Sequence, residues 1–379
     1  MKIAFISPSD VNNRLARSGV PYSIFHQLGK YYDIEWIRPN PKDSIWHTTV
    51  YVVARIIMWL MDKMHLGYWH IPMLIYVQSK SVERQLKELD FDAIFSMGCG
   101  GTSYINTNIP IFFRADAIAP SALDYYVFNV PKFSRRWTYN VEKNLLERAT
   151  VFFTASEWIN DEVKKYYPSL SDKCIFVPTG ANLDMDYVQY RKHEYGIDKP
   201  LNMLFVGYDL ERKGFAIAYE TMQLLNNQYG MKATLTVIGG VPDHAQYNDS
   251  GLRVVGKLNK NTKEEYDQFY DEFATSDIFI FPTRADFHGI VNCEAAAYGL
   301  PIFSCNTGGV PSYCVDGENG RCLPLKATAE DFAKAIYDAV DSGKIKRYSE
   351  KSRILFLEHF NWDSWGKYVY KVINEKVKK

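Results

Sequence analysis

The chain has 379 residues, of which 47% are hydrophobic and 23% charged, and its 44 basic residues are balanced by 44 acidic ones. That length exceeds one ordinary hydrophobic core and calls for two domains of somewhat under ~200 residues each, while the apolar content excludes a disordered chain. The charge balance leaves no global field to attract nucleic acid, so any charged ligand has to be met by a local cluster.

In chain order, the run from Met1 to Ile6 breaks at Ser7-Pro8-Ser9-Asp10. It is too short for a signal peptide and reads as a first buried strand. The loop that follows runs through Arg17-Ser18-Gly19-Val20-Pro21 into a helix. Further short β-rich runs at 33–37, 92–95, 110–113, 151–154 and 174–177 alternate with segments of helical period, the pattern of a parallel sheet covered by helices.

One stretch departs from this pattern. Residues 46–66 carry Tyr51-Val52-Val53-Ala54-Arg55-Ile56-Ile57-Met58-Trp59-Leu60-Met61, with Lys63 and His65 beside it. A basic, tryptophan-bearing amphipathic helix suits a membrane surface, and a buried helix with polar residues at its rim is the commoner meaning of so short an apolar run. Both readings stand at this point. No apolar stretch reaches the ~18 residues needed to cross a bilayer. Six cysteines, at 99, 174, 293, 305, 314 and 322, lack C-x-x-C spacing and read as reduced structural thiols. A cytoplasmic protein is expected, with a peripheral position at the inner face of the membrane if 46–66 makes that contact.

A polar stretch around Tyr190 to Glu194 and Asp198-Lys199-Pro200 precedes a restart of the pattern at Leu201. The expected domains are therefore 1–192 and 193–359, with a helix over 360–379 returning to the first domain. Strands are expected at 201–207, 234–238, 252–255, 277–281 and 301–304, and helices from Gly214, Thr262, Gly289 and Ala327. The fold class is α/β: two doubly wound, Rossmann-like domains facing across a cleft, with ligand loops at the carboxyl ends of the strands.

The chemistry concentrates after the strand at 277–281. Asp286 and Glu294 stand eight positions apart, Asp286 in a loop and Glu294 inside a helix that starts near Gly289. Glu294 lies among Val291, Ala295, Ala296 and Ala297, so its charge needs a partner such as ribose hydroxyls or an internal salt bridge. A helix ending at Gly299, another strand and the Gly308-Gly309 loop follow at once, and glycines there let backbone amides approach a phosphate or base.

This constellation resembles the family 4 retaining glycosyltransferases of the GT-B fold, whose signature is two glutamates separated by seven residues, then A-x-x-x-G-x-P and a glycine loop. Asp286 stands for the first glutamate here and His288 for a usual phenylalanine. Upstream, Phe205-Val206-Gly207 through Lys213-Gly214 is similar to the family's F-V-G-R-x-x-x-x-K-G segment, with Tyr208 where the family has arginine. The resemblance runs in order from Ser18-Gly19 to the Trp362 segment and is most specific in the second half.

What the resemblance implies is transfer of a sugar from a nucleoside diphosphate sugar to a saccharide, lipid-linked or small-molecule acceptor, with retention, within glycan or polysaccharide synthesis. It further implies no metal, no cofactor and no nucleic-acid partner. Lys213 and Arg212 would meet the leaving diphosphate, with the Ser18-Gly19 loop opposite; Glu294 would hold the ribose. Asp286, His288 and the amides of Gly289 and Ile290 would orient the donor sugar. Gly207 would permit close approach, and the base would lie near Lys257-Leu258. Asp116 is the candidate for the place of a family histidine, with a helix cap as the alternative. Two other readings share the architecture: a sugar-nucleotide epimerase, and a binding protein that keeps the fold without catalysis.

Overall fold

A computed structural model describes residues 1–40, 42 and 44–377. The chain divides into two compact units, Met1–Val177 together with the chain from Gly366 onward, and Pro178–Trp365. The expected boundary lay at 192/193. Residues 178–192 associate with the second unit because their polar groups are satisfied there. The Thr179 N–H donates to the Tyr313 hydroxyl at 2.9 Å, Tyr266 donates to the Asn182 carbonyl at 3.1 Å, and the Asp184 N–H donates to the Tyr270 hydroxyl at 2.6 Å.

The first unit holds strands β1 (Lys2–Ile6), β2 (Asp33–Ile37), β3 (Ala93–Ser96), β4 (Ile111–Ala115), β5 (Val151–Thr154) and β6 (Cys174–Phe176). They form one parallel sheet in the order β2-β1-β3-β4-β5-β6. β3, β4 and β5 are buried along their whole length, which is why they read as continuous apolar runs rather than as alternation. Phe5, Phe95 and Phe153 stack in succession on one face, at 5.8 and 6.1 Å between ring centroids.

The second unit holds β7 (Pro200–Gly207), β8 (Lys232–Gly239), β9 (Leu252–Gly256), β10 (Ile278–Phe281), β11 (Ile302–Asn306) and β12 (Gly320–Pro324). Their order is β12-β11-β10-β7-β8-β9, again parallel throughout. The helices expected from Gly214, Thr262 and Ala327 are present as Phe215–Asn227, Lys263–Thr275 and Ala329–Asp341. The last of these is fixed by a capping box between Thr328 and Asp331.

Both sheets reverse direction of winding once, at β1/β3 in the first unit and at β7/β10 in the second. Such a switch point opens a crevice at the carboxyl ends of the two strands, where ligands of doubly wound sheets bind. The loops after β1, β7 and β10 are among those singled out from the sequence.

The C-terminal helix spans Trp362–Val377, and the last two residues of the expected 360–379 segment lie outside the described ones. From Gly366 it belongs to the first unit, where Asn374 donates to the Tyr32 hydroxyl at 3.0 Å. The stretch expected over 46–66 is the helix Ile45–Lys63, started by the Ser44 side chain accepting from the His47 N–H. It is not a buried helix: only His47, Ala54 and Met61 are fully buried, with Ile57 and Met58 partly buried against the same packing. Among the described residues no helix is long and apolar enough to cross a membrane.

Candidate active site

In the second unit, β7 ends at Gly207 and the chain turns through the short helix Leu210–Lys213 before Phe215–Asn227 begins. The turn is tight. Gly214 adopts φ +77°, and a Cβ there would lie 2.1 Å from the Pro282 carbonyl oxygen, so only glycine lets the β7 turn rest on the chain leaving β10. A Cβ at Gly207 would meet the Lys213 side chain at 2.9 Å. The two glycines thereby fix where Lys213 points.

Lys213 points at Asp286. Its ammonium donates to Asp286 Oδ2 and sits 4.8 Å from the centre of the Phe281 ring. Both side chains are largely buried, 15% and 11% exposed. Burial pushes the Asp286 carboxyl up, but the Lys213 charge and hydrogen bond, the neighbouring His288 and the Gly289 N–H outweigh it and hold the carboxyl below its ordinary range. The Gly289 N–H donates to Asp286 Oδ1 at 3.0 Å, and the Gly309 N–H donates to the Asp286 carbonyl at 3.3 Å. The Gly308-Gly309 loop thus secures the Asp286 backbone, and the Gly289 amide, expected to face a ligand, is engaged by the carboxylate.

Arg212 braces the same turn. Its side chain donates to Asp209 Oδ2 at 3.0 Å and to the Ala285 carbonyl at 2.9 Å, while its own carbonyl accepts from the Arg284 N–H at 2.8 Å. The guanidinium thus ties the loop after β7 to the loop after β10.

Glu294 lies in the helix Val291–Ala297 and is 2% exposed. Its partner is an internal salt bridge, from Lys260 Nζ at 2.7 Å, and that ammonium rests 3.8 Å from the centre of the Phe269 ring. Burial raises the Glu294 carboxyl above its ordinary range against the pull of Lys260. Lys260 was not singled out from the sequence. The only signal for it is electrostatic: a carboxylate amid alanines needs a cation, and the segment after β9 carries two lysines, Lys257 and Lys260. Lys257 is exposed and lies 5.4 Å from the centre of the ring of Tyr208, the residue that stands where the resembled segment has arginine. Leu258 is buried in the core with Ile238 and Phe269. His288 is buried, its ring 6.1 Å from that of Tyr313, and Ile290 precedes the Glu294 helix.

The first unit gathers its own cluster at the β1/β3 switch point. Arg17, Ser18 and Gly19 take left-handed conformations in succession, at φ 48°, 57° and 82°. Two of these are not glycine, a strained loop of the kind held in place where a site is built. Arg17 anchors it, donating to the Met97 carbonyl at 2.8 Å and lying 4.0 Å from Asp116 Oδ2. Asp116 also pairs with the buried Arg114. Asp116 does not cap the next helix: the N–H of Ala119 donates to Glu142 at 2.8 and 2.9 Å instead. Arg17 and Arg114 complete a cluster of which the sequence pointed only to Ser18, Gly19 and Asp116.

The chain is similar to known proteins. Residues 190–354 match the family described as glycosyl transferases group 1. Over 245 residues the chain is 23% identical to alpha-maltose-1-phosphate synthase of Mycolicibacterium smegmatis, covering 59% of this chain and 62% of that one. Over 240 residues it is 24% identical to D-inositol 3-phosphate glycosyltransferase of Corynebacterium aurimucosum, covering 58% and 56%. The matches therefore span less than two thirds of these relatives' length. Among solved structures, sucrose-phosphate synthase from Thermosynechococcus elongatus aligns with a TM-score of 0.67 at 14% identity, over 99% of this chain and 98% of that one. HepE of Anabaena in complex with UDP-glucose aligns at 0.63 with 12% identity, over 99% and 100%. The match to the group 1 glycosyltransferases lies within the second unit, and the two parallel sheets are those of the GT-B fold.

Proposed function

We propose that the protein transfers a glycosyl group, with retention and without a metal, from a nucleoside diphosphate sugar to a saccharide, lipid-linked or small-molecule acceptor in glycan or polysaccharide synthesis. The observation that carries the reading is the buried Lys213 and Asp286 pair at the β7/β10 switch point, inside the segment matched to the group 1 family. As the bond to the sugar breaks, negative charge grows on the departing diphosphate. A fixed ammonium in a site poor in water stabilises that charge more than water does, because it needs no reorganisation.

In this reading Asp286 keeps Lys213 aimed while no donor is bound, and then shares it with the diphosphate. Arg212 holds the two loops in register, and Glu294 with Lys260 forms the ribose-side wall beneath Tyr208. The strained Arg17-Ser18-Gly19 loop and Asp116 serve the acceptor-side unit, where Asp116 takes the place of the family histidine. A uridine nucleotide is the first donor to try, since HepE, of the same fold, is known in complex with UDP-glucose.

Incubation of the purified protein with a panel of sugar nucleotides, followed by mass spectrometry for released nucleoside diphosphate and extended product, tests this. Turnover that disappears in Lys213→Ala supports the reading. A donor that raises the melting temperature yet is never consumed, with any acceptor tried, makes the protein a sugar-nucleotide binder instead.

A further inference from the structure

The helix Ile45–Lys63 departs from the rule for surface helices, in which the apolar stripe faces the core and the polar residues face water. Its inner face is formed by the buried His47, Ala54 and Met61, which recur every seven positions, with the partly buried Ile57 and Met58 beside them. Ala54 and Met61 pack with Ile71 and, less deeply, with Leu74 and Trp137. The opposite side carries Ile45, Val52, Ile56 and Leu60, flanked by Trp46 and Trp59. Ile45, Trp46 and Trp59 are 90%, 67% and 57% exposed.

At 1.5 Å per residue the 19-residue helix is about 28 Å long. Its outward face is apolar along nearly all of it, until Lys63 at the last turn. A patch of this extent on a soluble surface marks a contact with another phase or molecule.

The charges around the patch indicate which. Lys63 lies 6.0 Å from the centre of the Trp59 ring, Lys42 lies 4.9 Å from that of Tyr51, and Arg55 is exposed on the helix flank. The neighbouring helix Lys132–Arg148, which contributes Trp137 to the same packing, begins with exposed Lys132, Phe133 and Arg136. Against these cations stands Asp62, within 3.5 Å of the Tyr68 hydroxyl. Apolar side chains with two tryptophans, rimmed by cations, match the three layers of an anionic bilayer surface: acyl chains, interface and headgroups.

We propose that the helix Ile45–Lys63 is a docking element by which the first unit lies on an anionic lipid surface, with Trp46, Ile56 and Trp59 entering the headgroup boundary. The proposal rests on this surface alone and stands whether or not the site in the second unit proves catalytic.

Flotation of the full chain with vesicles of phosphatidylcholine, pure or mixed with phosphatidylglycerol, tests it. Wild type is expected to float with the mixed vesicles, less so as salt rises, and weakly with phosphatidylcholine alone. Trp59→Glu, at an exposed position, should lower the partition coefficient about tenfold or more, and the pair Arg55→Glu with Lys63→Glu should abolish the preference for the anionic lipid. Leu357→Glu, which puts the same charge on an exposed apolar position of the second unit, should float as wild type does.

Wild type that stays with neither vesicle overturns the proposal, as does Trp59→Glu floating like wild type while its circular dichroism is unchanged. If wild type is instead a dimer in solution that Trp59→Glu converts to monomer, with no flotation of either, the face is an interface between copies and the membrane assignment fails.

Discussion

The ammonium of Lys213, set by the turn after β7, and the carboxylate of Asp286, set by the loop after β10, form a buried ion pair at the point where the winding of the second sheet reverses. Removing one member of such a pair leaves the other charged and desolvated. Lys213→Met is therefore expected to lower stability by about 3 kcal/mol, and Lys213→Met with Asp286→Leu to recover much of that loss. Chemical denaturation of the three proteins measures it. Turnover should stay lost in the double variant, which separates the structural role of the pair from its role toward the diphosphate.

Three of the buried carboxylates, Asp286, Glu142 and Glu294, should leave distinct marks on the pH dependence of stability. Asp286 titrates below the ordinary aspartate value of 3.8, so its ionised form adds stability that is whole above that value and is lost as pH falls through the native one. Burial lifts Glu142, in the first unit, from 4.5 to about 8 against hydrogen bonds from Ala119 and Tyr167. Its contribution is whole below 4.5 and is lost as pH rises through about 8. Unfolding free energies between those two values should flatten in Glu142→Gln, which keeps an acceptor for the Ala119 N–H. Glu294, also raised, runs in the same direction as Glu142, and Asp286→Asn should blunt only the acid limb.

Gly214→Ala tests whether the two loops of the second site are a single unit. The added Cβ would fall 2.1 Å from the Pro282 carbonyl oxygen at a backbone of φ +77°, so the β7 turn has to lift off the β10 loop. A loss of about 2 kcal/mol or more is expected in thermal unfolding, together with weaker donor binding, because the shift carries Lys213 with it.

Lys260→Met should weaken nucleotide binding through Glu294 rather than through a phosphate. With its partner gone, the Glu294 carboxyl, already raised by burial, moves further up. Titration calorimetry should show donor affinity falling about tenfold.

Much of this architecture is legible in the sequence because parallel strands buried on both faces leave unbroken apolar runs, such as Ile278–Phe281 and Val151–Thr154. β12 is not, since Gly320-Arg321-Cys322-Leu323-Pro324 offers neither a run nor an alternation, and its strand character comes from pairing with β11. Asp286 and Glu294 stand out through spacing and neighbours, and Lys213 through the resemblance of its segment to the family's. Lys260 and Arg17 do not, because a lone cation in a loop acquires meaning only when the fold brings a buried carboxylate or a strained turn beside it. The helix Ile45–Lys63 shows the reverse case: its period is plain, but which face is covered depends on the helix Pro72–Lys87 that packs against it.

The central claim is that Lys213 meets a diphosphate. It is tested most directly by titrating wild type and Lys213→Met with uridine and with UDP, or with the nucleoside and diphosphate of whichever base most raises the melting temperature. The account predicts that wild type binds the diphosphate far more tightly than the nucleoside, and that Lys213→Met loses this difference while binding the nucleoside as before. Equal affinity of the two proteins for the diphosphate would contradict it.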